Sequence, residues 1–337
     1  MKEDVFESPF ASDREHIRAQ YQERAAKDGT GYGKLDRSVQ ALKANLKSPL
    51  FDVESMWDML QDCYDEHQHG GPSSTVSRLF DETDFAIHGC YVGMGGIVFK
   101  NHDSPSTRSV ILAQKAVDQW AREHGKKRIE LYGGVVLNYA VGGLNPDAIV
   151  SAYRLGGRYV WLPNMDANHH RRFVGEGEGQ GIDLLDEEDH LVPKMKEILD
   201  LMSETDMVLG TSHTSTRERL MVVREARKMG IERITVTHVN HPVSWLTPEQ
   251  CKMFADLGAY IGIYAMDIGV TYTWDDVMAV YRAVGPERIV LGSDCGHYAS
   301  VHPVEGMRRL MLGFAKRGVT DKDIRVMSRD NTYNLLH

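Results

Sequence analysis

From residue 84 to its end the chain repeats one unit. A short apolar run of strand-forming residues is followed by a longer segment with helical periodicity. The runs are "DFAIHGC", "GGIVFKNH", "IELYGGVVLN", "RYVWLPNM", "MVLGTSHTS", "RITVTHVNHP", "AYIGIYAM" and "RIVLGSDCG". Between most of them lie helical stretches such as "TRSVILAQKAVDQWAREHG" and "STRERLMVVREARKMG", and "PVEGMRRLMLGFAKRG" follows the eighth. Strands alternating with helices at this spacing make βαβ units and a parallel sheet. Eight of them over about 250 residues predict an α/β fold of the (β/α)8 TIM-barrel type.

The segment before this array has a different texture. "DREHIRAQYQERAAKD", "SVQALKANL" and "VESMWDMLQDCYDEHQ" are rich in helix formers, and "HQHGGPSST" then breaks the pattern. This predicts a helical N-terminal extension over residues 1–80 and the barrel over 81–337. The extension would cap the barrel or join subunits of a homo-oligomer. His67 and His69 are read here as surface residues at a solvated helix end.

Charge and composition narrow the partners. With a formal net charge of −9, the 337-residue chain is unsuited to nucleic acid or an anionic membrane. No apolar run approaches the roughly 20 residues needed to span a bilayer. "MKEDVFESPF" lacks the features of a secretory signal, and four cysteines without paired spacing argue against a disulfide framework or a zinc ribbon. The expectation is a cytoplasmic protein acting on a small molecule.

In such a barrel the C-terminal strand ends carry the active site. Here they read as polar positions. His88 ends the first run, Lys100 and His102 the second, and Asn138 the third. The fourth leads to Asp166, Asn168, His169 and His170, and the fifth to His213. His238 and His241 end the sixth, Tyr264 and Asp267 follow the seventh, and Asp294 and His297 end the eighth. Imidazoles and a carboxylate converging on one mouth suit a divalent metal, Zn²⁺ first, with Mn²⁺ or Fe²⁺ as alternatives. A catalytic metal needs about three protein ligands; His88, His213 and Asp294 are the candidates, with His238 and His102 in reserve. A bound metal lowers the pKa of water towards neutrality, and Asp294 or His238 would manage the proton. Lys100 would steady a substrate oxyanion or carboxylate. His102, Asn138, His169, Arg171, His241 and Tyr264 are candidate substrate-binding residues. "HHRR" at 169–172 is either an anion-binding patch or a solvated loop balanced by Glu176 and Glu178. The long Gly- and Glu-rich connection that contains it reads as a lid or substrate loop.

Over residues 80–337 the chain resembles the amidohydrolase superfamily. The resemblance rests on "DFAIHGC", placed on the family's Asp-x-His-x-His strand, and on "VFKNHDSPSTR", "GGVVLNYAVGGLNPDAI", "VWLPNMDANH", "VLGTSHTSTRE", "RITVTHVNHP" and "GPERIVLGSDCG". It implies that His88 is the second histidine of the first-strand pair, His213 and His238 the fifth- and sixth-strand histidines, and Asp294 the eighth-strand aspartate. On this alignment Ala86 replaces the first histidine, and "YIGIYAM" lacks an acid or histidine. The metal is then kept by a reduced set, held through a substitute such as His102 or His241, or lost. Three functions follow: hydrolysis of an amide or cyclic amide C–N bond, decarboxylation or C–C hydrolysis of a small aromatic or enol acid, or a degenerate barrel that binds without catalysis.

Overall fold

The computed structural model describes residues 56–176, 179–268 and 272–337. The helical extension expected over 1–80 lies outside the described residues up to residue 55. Within them, nine parallel strand segments make the sheet: β1 Tyr64–Gln68, β2 Gly96–Phe99, β3 Glu130–Tyr132, β4 Gly134–Val136, β5 Tyr159–Trp161, β6 Val208–Gly210, β7 Ile234–Val236, β8 Tyr260–Tyr264 and β9 Ile289–Gly292. β1, β2 and β3 pair in that order, and β4 to β9 pair in theirs, every pair parallel. β3 and β4 are two halves of one strand broken at Gly133, so the segments make eight barrel strands. Backbone hydrogen bonds from Asp294 to the His67 carbonyl (2.7 Å) and from His69 to the Cys295 carbonyl (2.9 Å) join the last strand to the first.

Alternation along the strands divides the core in two. Tyr64, Val98, Val136, Tyr159, Trp161, Val208 and Val290 form one buried cluster, shared with Leu335 and Leu336 of the C-terminal helix. Their strand neighbours Ile97, Phe99, Val135, Leu137, Val160, Leu209, Ile289 and Leu291 belong to a larger cluster with the surrounding helices. This is the two-faced pattern of a closed barrel, with residues one apart pointing in and out.

Two corrections to the sequence reading matter. "DFAIHGC" is not the first strand. It lies within helix α2, Glu82–Tyr91, which follows the short α1, Trp57–Leu60; the N-cap Asp81 of α2 accepts a hydrogen bond from the Asp84 amide (2.9 Å). A carboxylate at the N-cap and two more in the first turn satisfy free amides and complement the helix dipole. Phe85, Ala86, Gly89 and Cys90 are its buried face, so Ala86 is a core alanine and not a lost ligand. The first strand is instead Tyr64–Gln68, inside the stretch read as helical preface and ahead of the expected boundary at residue 81. It consists of Tyr, Asp, Glu, His and Gln, and every residue of it is buried.

α2 carries one buried acid with a cost that pH reveals. Burial pushes the Glu82 carboxyl up to about 7, against a hydrogen bond from Ser109 that favours the charge. The folded chain keeps a proton there that the unfolded chain gives up near the ordinary 4.5. Stability therefore falls as pH rises from about 4.5 to about 7 and stays lowered above it. Glu82→Gln removes this loss. Thermal melts should show the variant above wild type at pH 8 and level with it near pH 4.5; parallel curves at all pH values would contradict the assignment.

Candidate metal centre

β1 supplies the core of the site through an irregularity. Its register against β2 shifts between Asp65 and Gln68, a bulge that places one extra residue on β1. Glu66 and His67, adjacent in sequence, consequently both reach the interior. Glu66 accepts hydrogen bonds from Tyr159 Oη (2.5 Å) and Tyr264 Oη (2.8 Å), while the His67 ring lies 4.7 Å from both the His238 and Tyr264 rings. Asp65 faces the other way and accepts from the Ser293 amide (2.7 Å) and the His67 amide (3.2 Å), which clamps β1 to the end of β9.

Asp294 stands at the centre. Its Oδ1 is 3.1 Å from His69 Nε2 and 3.5 Å from His67 Nε2, and its Oδ2 is 3.5 Å from His238 Nδ1. His69 Nδ1 donates to the Lys100 carbonyl (2.8 Å), which leaves Nε2 as the free lone pair directed at Asp294. With that proton in place, Arg78 Nη2 at 3.4 Å from the same Nδ1 is a contact and not a bond. His67 is fully buried and neither ring nitrogen has a hydrogen-bond partner. Such an imidazole is costly unless something else takes its lone pair. His67, His69 and Asp294 each offer a ligand atom, all within 4.8 Å of one another, and so could hold a metal ion. Two imidazoles and a carboxylate suit Zn²⁺.

Burial keeps the imidazoles in the form a metal requires. His67, His69, His102, His213 and His238 are all held well below the usual histidine range, first by desolvation and then by nearby cations, Lys100 among them. They are neutral at pH 7, as ligation demands. Desolvation pushes the Asp294 carboxyl up, and Lys100, His241 and Arg78 pull it back. Lys100 is itself drawn down to about 8 by burial, opposed by Asp294 and Glu66. Its Nζ lies 3.4 Å from His238 Nε2.

The remaining expected residues separate clearly. His88 sits on α2, its Nδ1 2.9 Å from His302 Nε2 and its ring against Phe80, and is in neither group that could hold a metal among the described residues, His67–His69–Asp294 and His238–Asp267–Asp294. A helix on the barrel's outer layer cannot present it to the mouth. His213 is at the mouth, stacked between His170 and His241, with its Nδ1 2.8 Å from His170 Nδ1. It too lies outside the metal-competent groups. His102 stacks on His69 at 4.7 Å. His169 is turned away, its Nε2 donating to the Val243 carbonyl (2.7 Å), and its neighbour His170 takes the mouth position. "HHRR" is part of a short helix, Asn168–Val174, and not a loop; Arg171 is bound to Asp166 (2.6 Å) and lies over Tyr139. Asn138 ties strand ends together, donating to the His102 carbonyl (3.1 Å) and accepting from the Asn164 amide (2.9 Å). Tyr264 is fully buried beneath His67, its hydroxyl spent on Glu66.

Four site residues lay beyond the sequence reading. His67 and His69 stand in an intact Asp65-x-His67-x-His69, the very pattern sought at 84–88. Arg78 reaches the mouth because its segment pairs with the loop after β9: Arg78 bridges His297, and the Leu79 amide donates to the Gly296 carbonyl (2.9 Å). Gly296 has φ +118°, and a β-carbon there would overlap the His69 carbonyl, so only glycine lets this loop lie on β1. Arg219 is fully buried and bonds the Ser212 and Ser244 carbonyls, both at 2.7 Å. Ser244 Oγ in turn donates to the His238 carbonyl (2.8 Å). Ser212, His238 and Asp294 all have φ between 51° and 60°, so the ends of β6, β7 and β9 each turn through a left-handed residue. This costs about 1–2 kcal/mol per non-glycine residue and persists only where the surroundings impose it.

This is an eight-stranded parallel barrel with histidines and an aspartate gathered at its C-terminal strand ends, the fold of the amidohydrolase superfamily. An amidohydrolase from Pseudomonas aeruginosa matches with a TM-score of 0.55 and 14% identity, over 83% of this chain and 98% of that one. Dipeptidase AC, a metallopeptidase, matches at 0.54 and 12%, over 82% and 98%. A variant of an organophosphorus hydrolase matches at 0.53 and 14%, over 82% and 92%. At these identities the likeness is one of fold. The chain belongs to the DUF6282 family, described as a family of unknown function, whose model matches residues 62–262 and so takes in β1 with Asp65, His67 and His69. No curated protein matches it in sequence.

Arg219→Met leaves two buried carbonyls unpaired under the turns that hold His213 and His238. The expected cost is about 2–4 kcal/mol, seen as a fall in Tm of roughly 3–6 °C in calorimetry. An unchanged Tm would show that these turns stand without it.

Proposed function

We propose that this protein is an enzyme, a metal-dependent hydrolase that cleaves a C–N bond of a small anionic molecule, in an amide or cyclic amide. One observation carries the reading: His67, fully buried with both ring nitrogens unpartnered, converges with His69 on the carboxylate of Asp294. That arrangement favours a bound divalent cation over a hydrogen-bonded structural cluster, and the donor set favours Zn²⁺, with Mn²⁺ or Fe²⁺ as alternatives. Bound there, a cation lowers the pKa of a water molecule and polarises a carbonyl oxygen.

The chain's own groups have distinct parts. Lys100 Nζ donates a hydrogen bond to the substrate oxygen that gains charge. Asp294 and the neighbouring Asp267 form an acid pair that takes the proton released by water. Arg78, near enough to Asp294 and Asp103 to feel both charges, supplies the fixed positive charge that selects an anionic substrate. This moves the anion-binding part from Arg171, already bound to Asp166. A cleft of about 680 Å³ with His241 and Asp267 on its wall gives a small molecule access. The names of two fold relatives, an amidohydrolase and a dipeptidase, favour an amide bond. The four cysteines are buried and free, which suits the reducing cytoplasm. Among the described residues no helix is long and apolar enough to cross a membrane.

The test is metal content by elemental mass spectrometry with turnover of a panel of anionic amides. Wild type should carry at least one equivalent of Zn, Mn or Fe. His67→Ala and His69→Ala should lose that cation and at least 100-fold in rate, while His88→Ala keeps both. Metal lost on His88→Ala, or none bound in wild type after reconstitution with each ion, would overturn the reading.

A further inference from the structure

The cleft that carries His241 and Asp267 is also lined by Met266, Trp274, Val301 and Leu310, and no step of the hydrolysis accounts for that apolar wall. Met266 is 42% exposed and Val301 39%, so both leave apolar surface uncovered. Trp274, the first residue of the helix Trp274–Val284, is held from three sides. The Arg317 guanidinium lies 4.3 Å from its ring centroid, and Phe314 meets it edge-to-face at 5.5 Å. The third side is Gly313, in the helix Pro303–Ala315. A β-carbon there would overlap Trp274 Cζ2, so only glycine seats the indole in this place. Glycine inside a helix is destabilising relative to alanine; here it fixes a ring on the wall of a cleft. Arg309, on the same wall, is bound to Glu305 (2.6 Å), so the cleft presents apolar contact more than free charge.

We propose that this cleft receives an aryl group of the substrate, with Trp274 as the residue that sets the preference. The substrate is then an anionic amide that carries an aryl group beside the scissile bond. A held indole presents carbon and C–H surface to a second ring without having to be ordered first. The Met266 thioether adds a polarisable partner that favours aromatic rings. The volume, about 680 Å³, is that of a small-molecule site. Position ties the cleft to the chemistry, because Asp267 is on its wall and has a carboxylate oxygen within 4.8 Å of one from Asp294. The proposal rests on the hydrolase reading in that one respect, that the bond is cleaved beside this acid pair. The aryl group goes to the cleft while the anionic group stays with Arg78.

The rival is a cleft that admits water and holds nothing. Titration calorimetry on the full chain loaded with Zn²⁺ separates the two, using phenylacetate, cyclohexylacetate and acetate as probes. Phenylacetate should bind tightest, and more tightly than acetate by roughly 10- to 100-fold, as expected for burying one ring. This comparison needs no variant, so it stands even if a substitution harms folding. Trp274→Ala, and separately Val301→Trp at an exposed position that fills the cleft, should each bring phenylacetate close to acetate. Equal binding of the two in wild type, or a preference that survives both substitutions, would overturn the pocket. Cyclohexylacetate binding as tightly as phenylacetate would overturn the aryl assignment. The ratio of kcat/KM for N-phenylacetylglycine over N-acetylglycine should follow the same pattern. Turnover of both amides at equal kcat/KM would overturn the pocket and leave the hydrolase reading. Tighter phenylacetate binding with neither amide cleaved would overturn the assignment of the cleft to a substrate of this type, and with it the reading on which that assignment rests.

Discussion

The structure depends on burying a strand made almost entirely of polar side chains. Tyr64–Gln68 lies between β2 and β9 with no residue at the surface, and each polar group has to find a partner or cost several kcal/mol. Asp65 Oδ1 is answered by the Ser293 amide at the β9 end and the His67 amide of its own strand, Glu66 by two tyrosine hydroxyls, and His69 by the Lys100 carbonyl. His67 is not answered by the protein. Asp65 Oδ2 and Gln68 Nε2 also lack a partner, but in His67 both polar side-chain atoms are buried and unpartnered, which describes a ligand better than a structural histidine.

The rest of the mouth follows from that anchoring. The bulge that turns Glu66 and His67 to the same side sets the depth of the centre, with Tyr159 and Tyr264 as its floor. Asp65 and the backbone bonds between β1 and β9 fix Asp294 relative to both histidines. On the far side, Arg219 gathers the turns after β6 and β7, bringing His213 and His238 to the same opening. Rigid strand ends of this kind hold a centre more precisely than loops do.

The barrel was legible in the sequence because seven of its eight strands are apolar runs with helices between them. Asp294, His238, Lys100 and His102 were legible because each follows such a run. The first strand was not. Strand recognition relies on alternating or continuous apolarity, and "YDEHQ" has neither, since the barrel interior at its level is polar and its partners come from residues 93 to 228 positions away. "DFAIHGC" imitated the missing strand because a short apolar run does not distinguish strand from helix. The N-cap Asp81 with Glu82 and Asp84 behind it was the local sign of a helix. Arg78 and Arg219 were invisible for a different reason: each depends on backbone far along the chain, the loop after β9 for Arg78 and the Ser244 carbonyl for Arg219.

The chemistry of the mouth turns on where a metal binds. Anomalous diffraction at the zinc edge, from crystals of the full chain grown with Zn²⁺, measures this directly. The prediction is a peak bonded to His67 Nε2, His69 Nε2 and Asp294. A peak at His88 and His302 with none beside Asp294 would contradict it.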